Sequence, residues 1–262
     1  MATISLLPGW GLGLAALQPL VEAVSAQHEV QLLPLPECTA LQQALDELDA
    51  QIPAGNWLAG WSLGGMLATA LASRRGADCP GLITLASNPC FVAREDWPHG
   101  MPPAVFKAFS RSASRDWATT RAGFVQLCLQ GESASITESA RAVLQSTAAT
   151  QLAPGTQGTH APDPAHNACG QTDTAPLASL AWLEQLDNRA AIEHMGCKQL
   201  HLLAVADALV PASVAGPLAR LNARASIRAL PGSHAFVVTR PQVLADILHG
   251  FIQPAMGATH DG

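Results

Sequence analysis

A serine lies at the centre of a Gly-x-Ser-x-Gly motif, which runs from Gly60 to Gly64 around Ser62. The apolar run Trp57–Trp61 leads into the motif, and a helical pattern, Leu63–Arg75, follows it. This strand-turn-helix setting is typical of a nucleophile elbow, where a strained turn raises the hydroxyl above a sheet and leaves room only for glycines beside it. We therefore predict that Ser62 is the nucleophile of an acyl-transfer reaction.

A serine hydroxyl is a poor nucleophile until a histidine removes its proton and a carboxylate orients that histidine. Around a nucleophile elbow these partners follow in the order serine, acid, histidine. Asp207 fits the acid because it comes directly after the apolar run Leu202–Ala206. His234 fits the base because it lies in a loop of small residues behind the next predicted strand. Asp187 is the fallback acid, although no strand precedes it.

Two backbone N–H groups are expected to bind the oxyanion that forms when Ser62 attacks a carbonyl group. One belongs to Leu63, at the start of a helix whose positive end points to the reacting oxygen. The other belongs to Trp10, in the loop Pro8–Gly11 behind the first predicted strand. Because such a site supplies nucleophile, base and oxyanion stabilisation unaided, we predict that it needs neither a metal nor a cofactor.

Short apolar strands alternate with amphipathic helices around these residues. The predicted strands are Ala2–Leu7, Val30–Leu33, Trp57–Trp61, Leu82–Ala86, Gln199–Ala204 and Ser226–Leu230. The predicted helices between and after them are Leu14–Ser25, Thr39–Ile52, Leu63–Arg75, Ala212–Leu221 and Pro241–Ile252. Repeated β-α units of this kind indicate an α/β chain with a mostly parallel central sheet that helices flank.

The β-α repeat is interrupted between the fourth and fifth predicted strands. Helical stretches are predicted there near Pro103–Ser112, Trp117–Leu129 and Thr137–Thr150, followed by a Gly-, Pro- and Thr-rich tract over residues 153–176. We interpret residues 94–196 as a helical lid inserted into a core of residues 1–93 and 197–262, and the tract as a flexible loop. Together with the elbow, this arrangement predicts the α/β-hydrolase fold.

The histidines and cysteines of the chain form no pattern that would indicate a metal site or a disulfide framework. The 153–176 tract contains His160, Asp163, His166 and Cys169, whose spacing matches no standard zinc pattern. The chain has six cysteines but no Cys-x-x-Cys pair. Because a large core makes disulfides unnecessary, we expect free thiols.

The composition, with 48% hydrophobic and 13% charged residues among 262, provides a large core and fits one domain. The net charge of -6 gives no reason to expect nucleic-acid binding. No uninterrupted apolar stretch is long enough to cross a membrane. The apolar N-terminus lacks the positive region of a signal peptide, since the first basic residue is Arg74, so we expect a cytoplasmic protein.

Several segments of the chain resemble the BioH family, the pimeloyl-[acyl-carrier protein] methyl ester esterases of biotin synthesis. They are Leu7–Leu12, Gly60–Gly65, Leu85–Pro98, Asp207–Pro211 and Ser233–Ala235. The Ser-Asn-Pro-Cys-Phe sequence within the third segment is far more specific than the elbow, which many esterases share. The resemblance implies a catalytic triad and two oxyanion positions, and the matching residues are Ser62, Asp207, His234, Trp10 and Leu63.

The resemblance also implies a reaction and a partner. Such enzymes remove the methyl group from a carrier-bound pimeloyl methyl ester and release methanol and a free carboxylate. The expected partner is an acidic acyl-carrier protein, held by Arg121 and Arg141 of the lid, and the enzyme is expected to be a monomer. The expected substrate-binding residues are Trp10, Leu12, Trp61, Leu63, Phe124, Val125, Gln126, Leu127, Cys128 and His234.

The chain departs from the family pattern in three places. Pro8 stands where many relatives have histidine, the 153–176 tract has no obvious counterpart, and the leading β-hairpin of the fold is expected to be absent. Two other functions stay open at this point: a broad-specificity short-chain carboxylesterase or thioesterase, and a non-catalytic α/β-hydrolase fold that binds a ligand. The complete Ser-Asp-His set argues against the second, because a binding module has no need of it.

Overall fold

The computed structural model describes residues 1–146 and 174–253, and one six-stranded parallel sheet organises them. The strands are β1 (Thr3–Leu7), β2 (Glu29–Leu32), β3 (Trp57–Trp61), β4 (Gly81–Leu85), β5 (Lys198–Ala204) and β6 (Ser226–Leu230). Their order across the sheet is β2-β1-β3-β4-β5-β6. Because β3 and β4 are buried at every position, helices must cover both faces of the sheet.

The helices complete an α/β-hydrolase fold. They are α1 (Gln18–Ser25), α2 (Leu41–Gln51), α3 (Leu63–Arg75), α4 (Pro103–Arg115), α5 (Trp117–Cys128), α6 (Ala134–Gln145), α7 (Thr174–Gln185), α8 (Arg189–His194), α9 (Ala215–Leu221), α10 (Phe236–Thr239) and α11 (Pro241–Ile252). Helix α1 packs against α11, whereas α3 packs against α2, α8 and the central strands. The predicted parallel sheet with flanking helices is therefore confirmed.

The predicted ends of strands and helices are accurate where the local sequence pattern is strong and inaccurate where it is weak. Strands β3 and β6 and helices α3 and α11 have the predicted ends. The third helix predicted between β4 and β5 begins earlier than expected, at Ala134, and ends at Gln145; residues 147–150 of that prediction lie outside the described part. The helix predicted over Leu14–Ser25 is a 3₁₀ turn, Leu14–Leu17, followed by α1, whose first turn contains a proline.

Helices α7 and α8 were not predicted from the sequence. Apolar residues lie around most of α7, so it lacks the single apolar stripe that marks an amphipathic helix. The predicted loop over residues 153–176 is wrong at its end, because α7 begins at Thr174 and a proline is tolerated in a first helical turn. The rest of that tract, with His160, Asp163, His166 and Cys169, lies outside the described residues.

Helices α4 to α8, here called the inserted helices, lie between β4 and β5 in the sequence. These helices and the turn between α5 and α6 contact the loops that follow β1, β5 and β6 at the carboxyl edge of the sheet. The division into a core of 1–93 and 197–262 and a lid of 94–196 stays a prediction. No helix in residues 1–146 and 174–253 could span a membrane, and the five cysteines found there are free thiols.

Candidate active site

Ser62 lies in a strained turn between β3 and α3. Its φ of 55° is a left-handed conformation that residues with a side chain rarely adopt. A Cβ atom at Gly60 would collide with the backbone of Gly64, and one at Gly64 would collide with the carbonyl oxygen of Leu7. The turn therefore requires both glycines, which is the local geometry that the Gly-x-Ser-x-Gly motif predicts.

Ser87 fixes the turn from the loop that follows the neighbouring strand, β4. The N–H of Ser62 donates to the carbonyl oxygen of Leu85 at 2.9 Å, and the Ser87 hydroxyl donates to the Ser62 carbonyl at 2.8 Å. A Cβ atom at Gly65 would lie 2.7 Å from the Ser87 Cβ, so the two segments are in close contact. In the sequence, Ser87 stands out only as part of the segment Leu85–Pro98 that resembles the BioH family. In the structure, its hydroxyl holds the turn around Ser62.

Asp207 and His234 meet behind β5 and β6. The Nδ1 atom of His234 lies 2.8 Å from Asp207 Oδ2, and both residues are buried. The other carboxylate oxygen accepts the N–H groups of Leu209 at 2.8 Å and Val210 at 2.9 Å. Because a carboxylate only accepts hydrogen bonds, the proton of the histidine belongs on Nδ1 and its Nε2 is free to accept one.

The Nε2 atom of His234 is buried and has no hydrogen-bond partner among the described residues. Such atoms are rare in folded proteins and call for an explanation. Trp61, the residue before Ser62, donates its indole N–H to the His234 carbonyl at 3.0 Å. The histidine is therefore held against the nucleophile turn, with its unpaired nitrogen in the form that a general base requires.

The loop with Trp10 lies beside the nucleophile because of the sheet register. Leu7 of β1 pairs with Gly60 of β3, so the residues after β1 run next to the elbow. A Cβ atom at Gly9 would lie 3.5 Å from the Ser62 Cβ. The backbone N–H groups of Trp10 and Leu63 thus follow neighbouring strands at one edge of the sheet, as an oxyanion site requires.

The side chain of Trp10 is enclosed by the inserted helices. Its ring packs edge-on against Phe109, Trp117 and Phe124, with centroid distances of 5.0 to 5.3 Å. Its indole N–H donates to the carbonyl of Pro176 at 2.6 Å. The loop Pro8–Gly11, here called the oxyanion loop, is therefore anchored to the inserted helices through Trp10. The backbone N–H of the same residue is a candidate donor to the oxyanion.

The two arginines predicted to hold a carrier protein have different surroundings. Both arginines are half-buried, and the Arg121 guanidinium donates to the carbonyls of Gly11 and Leu144, both at 3.2 Å. Arg141 donates to the exposed Gln126 side chain at 2.7 Å. Docking of a carrier protein stays a prediction for both arginines. The hydrogen bond from Arg121 to Gly11 holds the backbone next to Trp10, whereas the hydrogen bond of Arg141 joins two side chains in an exposed position.

Five of the ten predicted substrate-binding residues lie on α5, and they divide between two faces of that helix. Phe124, Val125 and Cys128 are buried, whereas Gln126 and Leu127 lie on the exposed side of the helix. Trp10, Leu12, Trp61 and Leu63 are the other apolar residues of the predicted set, and all four are buried. Burial, followed by the charge of Asp207, raises the pKa of the Cys128 thiol well above its usual value, so this thiol does not compete as a nucleophile.

The fallback acid, Asp187, has another partner. Its two carboxylate oxygens accept hydrogen bonds from Arg189 at 2.7 and 2.8 Å, and these bonds lower the pKa of the carboxyl group. It lines a groove of about 600 Å³ to which none of Ser62, Asp207 and His234 contributes. Residues 1–146 and 174–253 contain no group of three or more side chains that could ligate a metal.

The fold and the site can be compared with known proteins. Residues 6–247 match the model of the alpha/beta hydrolase family. Two solved structures, a bromoperoxidase from Bacillus anthracis and the esterase EaEST from Exiguobacterium antarcticum, superpose with TM-scores of 0.75 and 0.74 at 16% and 12% identity. Each match covers 97% of this chain and 92% of the solved chain, and at such identities it concerns the fold alone. The chain belongs to the alpha/beta hydrolase family.

Sequence relatives narrow the position within that family. The chain is 36% identical to the Biotin biosynthesis bifunctional protein BioHC of Cellvibrio japonicus, over 95% of this chain and 47% of that protein. It therefore spans about half the length of such bifunctional relatives. It is 30% identical to the pimeloyl-[acyl-carrier protein] methyl ester esterase of Serratia marcescens, over 94% of this chain and 92% of that enzyme. These relatives place the chain in the BioH group.

Proposed function

We propose that this chain is a serine carboxylesterase that hydrolyses the methyl ester of pimeloyl-[acyl-carrier protein] to the free acid and methanol, as a step of biotin synthesis. The observation that carries the esterase proposal is the pairing of His234 Nδ1 with Asp207 at 2.8 Å, which leaves Nε2 buried and unpaired within the described chain. The names of the relatives supply the pimeloyl ester and the pathway.

In the first half of the proposed reaction, Ser62 Oγ attacks the carbonyl carbon of the ester while His234 Nε2 takes its proton. The negative charge that develops on the carbonyl oxygen is bound by the N–H groups of Trp10 and Leu63. The tetrahedral intermediate then expels the methoxy group, which takes the proton from His234 and leaves as methanol. Asp207 stabilises the imidazolium that exists between these two proton transfers.

In the second half, water attacks the acyl group on Ser62 and gives a proton to His234 Nε2. The second tetrahedral intermediate breaks down by releasing Ser62 Oγ, which recovers that proton, and the free carboxylic acid departs. Every proton in the cycle passes through the Nε2 atom, so the pairing of Nδ1 with Asp207 must persist throughout. The cycle uses residues of the chain and water.

The acyl chain of the substrate is proposed to contact the apolar residues beside the oxyanion loop. Leu12 and Phe124 are buried there, and the Phe124 ring lies 5.0 Å from the Trp10 ring. Val125 and Cys128 contribute further apolar surface on the same side of α5. Gln126 and Leu127, on the exposed side of α5, are proposed to face the carrier protein.

Docking of the acidic carrier protein is proposed for Arg141 of α6, whose guanidinium donates to Gln126 on the exposed face of α5. A local positive charge is needed because the whole chain has a net charge of -6. A docking role for Arg121 would require its bonds to Gly11 and Leu144 to break. We further propose that the protein acts in the cytoplasm and as a monomer.

The proposal is tested by incubating the purified protein with pimeloyl-carrier protein methyl ester and measuring both methanol and the free acid. We expect the kcat/KM for this ester to exceed that for dimethyl pimelate, and Ser62→Ala to release neither product. Rapid cleavage of p-nitrophenyl butyrate without cleavage of the carrier ester would instead identify a short-chain esterase. Preferred cleavage of an acyl thioester would identify a thioesterase. Rescue of growth in a biotin auxotroph that lacks its native esterase tests the same proposal in cells.

A further inference from the structure

A buried carboxylate outside the Ser-Asp-His set, Glu132, follows α5 in the turn that leads to α6. Its side chain is 1% exposed. Burial of a charge is costly unless the charge is paired and hydrogen-bonded, so a carboxylate retained in this position needs compensating contacts.

The hydrogen bonds that the Glu132 carboxylate accepts come from the segment that carries His234. One carboxylate oxygen accepts the N–H and the hydroxyl of Ser233, both at 2.9 Å. The same oxygen accepts the Thr239 hydroxyl at 3.2 Å and a guanidinium N–H of Arg240 at 2.7 Å. The other oxygen accepts a second N–H of Arg240 at 3.1 Å. Glu132 therefore joins the two ends of the short α10 segment to the inserted helices.

These bonds fix the backbone on one side of His234, and other bonds fix the opposite side. Ser233 directly precedes the histidine, and the N–H of Ala235, directly after it, donates to the Cys128 carbonyl at the end of α5 at 3.0 Å. The turn itself fits closely against the acid loop, because a Cβ atom at Gly131 would lie 2.7 Å from the Cβ of Ala206. The segment from Cys128 to Glu132 thus contacts the loops of both Asp207 and His234.

Glu132 is ionised in this setting. Burial alone would raise the pKa of its carboxyl group, but hydrogen bonds from Arg240 and Ser233 outweigh it, and the pKa is lowered. A charged acceptor makes shorter and stronger hydrogen bonds than a neutral one. An ionised Glu132 therefore holds the Ser233 N–H more firmly than a backbone carbonyl or an amide oxygen would.

We propose that Glu132 is a positioning residue for the catalytic base: it fixes the backbone of Ser233 so that His234 Nδ1 stays on Asp207 while Nε2 stays available to Ser62. This inference rests on the proposed function, because it assigns His234 as the base. The proposal gives the turn between α5 and α6 a role in the chemical step, besides any role of the inserted helices in substrate binding.

The test compares Glu132→Gln with a matched control, Arg240→Gln, on p-nitrophenyl butyrate. Both variants remove the ion pair, but only the first replaces the acceptor of Ser233. A base displaced by about 1 Å costs roughly 10²-fold in rate, so we expect Glu132→Gln to lower kcat by about that factor with KM nearly unchanged. Arg240→Gln should lower Tm, because it leaves the Glu132 carboxylate buried without its cation, but it should lower kcat far less than Glu132→Gln, since both bonds from Ser233 remain. Thermal unfolding of both variants reports their stability.

A merely structural role predicts a different result, in which kcat falls equally in both variants and follows the loss in Tm. That outcome, or a Glu132→Gln variant with wild-type kcat, would overturn the proposal. If Glu132→Gln does not fold, Glu132→Asp, which keeps the charge, is measured in its place, and a kcat equal to that of Arg240→Gln would count against the inference. Wild type that cleaves no ester would show instead that the proposed function is wrong.

Discussion

The nucleophile turn and the two loops that serve it are held in different ways. Ser62 is fixed by the sheet, through glycines that admit neighbouring backbone and through bonds to Leu85 and Ser87. The loops of Trp10 and His234 are fixed by groups of the segment between β4 and β5, far away in the sequence: the Pro176 carbonyl, the Arg121 guanidinium and the Glu132 carboxylate. The difference teaches that the proposed nucleophile is held by the sheet, whereas its proposed partners depend on the segment between β4 and β5.

The largest expected effect is the loss of the nucleophile itself. Ser62→Ala should lower kcat by about six decades, because the hydroxyl forms the covalent acyl-enzyme. Alanine fits the turn, because Ser62 makes its bonds to Leu85 and Ser87 with its backbone atoms, so Tm should stay close to that of wild type. Steady-state hydrolysis of p-nitrophenyl butyrate, together with a melting curve, checks both points. Activity within tenfold of wild type would refute the assignment of Ser62.

Asp207→Asn should have the next largest effect, a loss of about 10⁴ in kcat, because the imidazole loses its orienting carboxylate. The matched control is Asp187→Asn, which removes the carboxylate bonded to Arg189 and should leave kcat nearly unchanged. The same ester assay measures both variants. If Asp187→Asn proved the more damaging change, the fallback acid would be the true one.

The sheet should also contribute to the acid sensitivity of the fold. His201 of β5 is buried with its Nδ1 atom 2.8 Å from the Thr84 hydroxyl, and burial lowers its pKa to about 4. The unfolded chain takes up this proton near pH 6.5, so the stabilising contribution is present above that pH and is lost as the pH falls toward 4.

The loss from His201 amounts to at most about 3 kcal/mol in the free energy of unfolding. Urea unfolding of wild type and His201→Gln between pH 7.5 and 4 measures it. The variant should lose less stability than wild type over that range. Equal slopes in the two proteins would show that other groups govern the acid sensitivity.

The smallest expected effect is that of Arg141→Glu on KM, and it distinguishes Arg141 from Arg121, the other arginine predicted to dock the carrier protein. Arg141→Glu should raise KM for the carrier-bound ester about fivefold, corresponding to roughly 1 kcal/mol for a surface charge, and leave p-nitrophenyl butyrate hydrolysis unchanged. The defect should shrink as salt rises, since exposed charges are screened. Arg121→Glu should instead lower kcat on both esters, because Arg121 holds Gly11 beside Trp10. Equal behaviour of the two variants would contradict the distinction.

The sequence predicts the sheet side of the site far better than the inserted helices. The strand, turn and helix around Ser62 follow from local sterics, which leave a readable pattern of glycines and apolar runs. Glu132 carries no such signal, because a lone glutamate after a predicted helix usually points to solvent. Its partners, Ser233 and Arg240, are about a hundred residues away in the sequence, and only the folded chain brings them together. Helix α7 was missed for a related reason, since its apolar surface suits burial among several neighbours and lacks a helical period.

The central claim is that the chain cleaves esters through a covalent intermediate on Ser62, and labelling with a fluorophosphonate tests it most directly. The reagent reacts with a serine that a neighbouring base activates, so one adduct is expected per chain. Peptide mass mapping should place it on Ser62, and its yield should follow the loss of ester hydrolysis in parallel. An adduct on another residue, or full activity in a protein labelled at Ser62, would contradict the account.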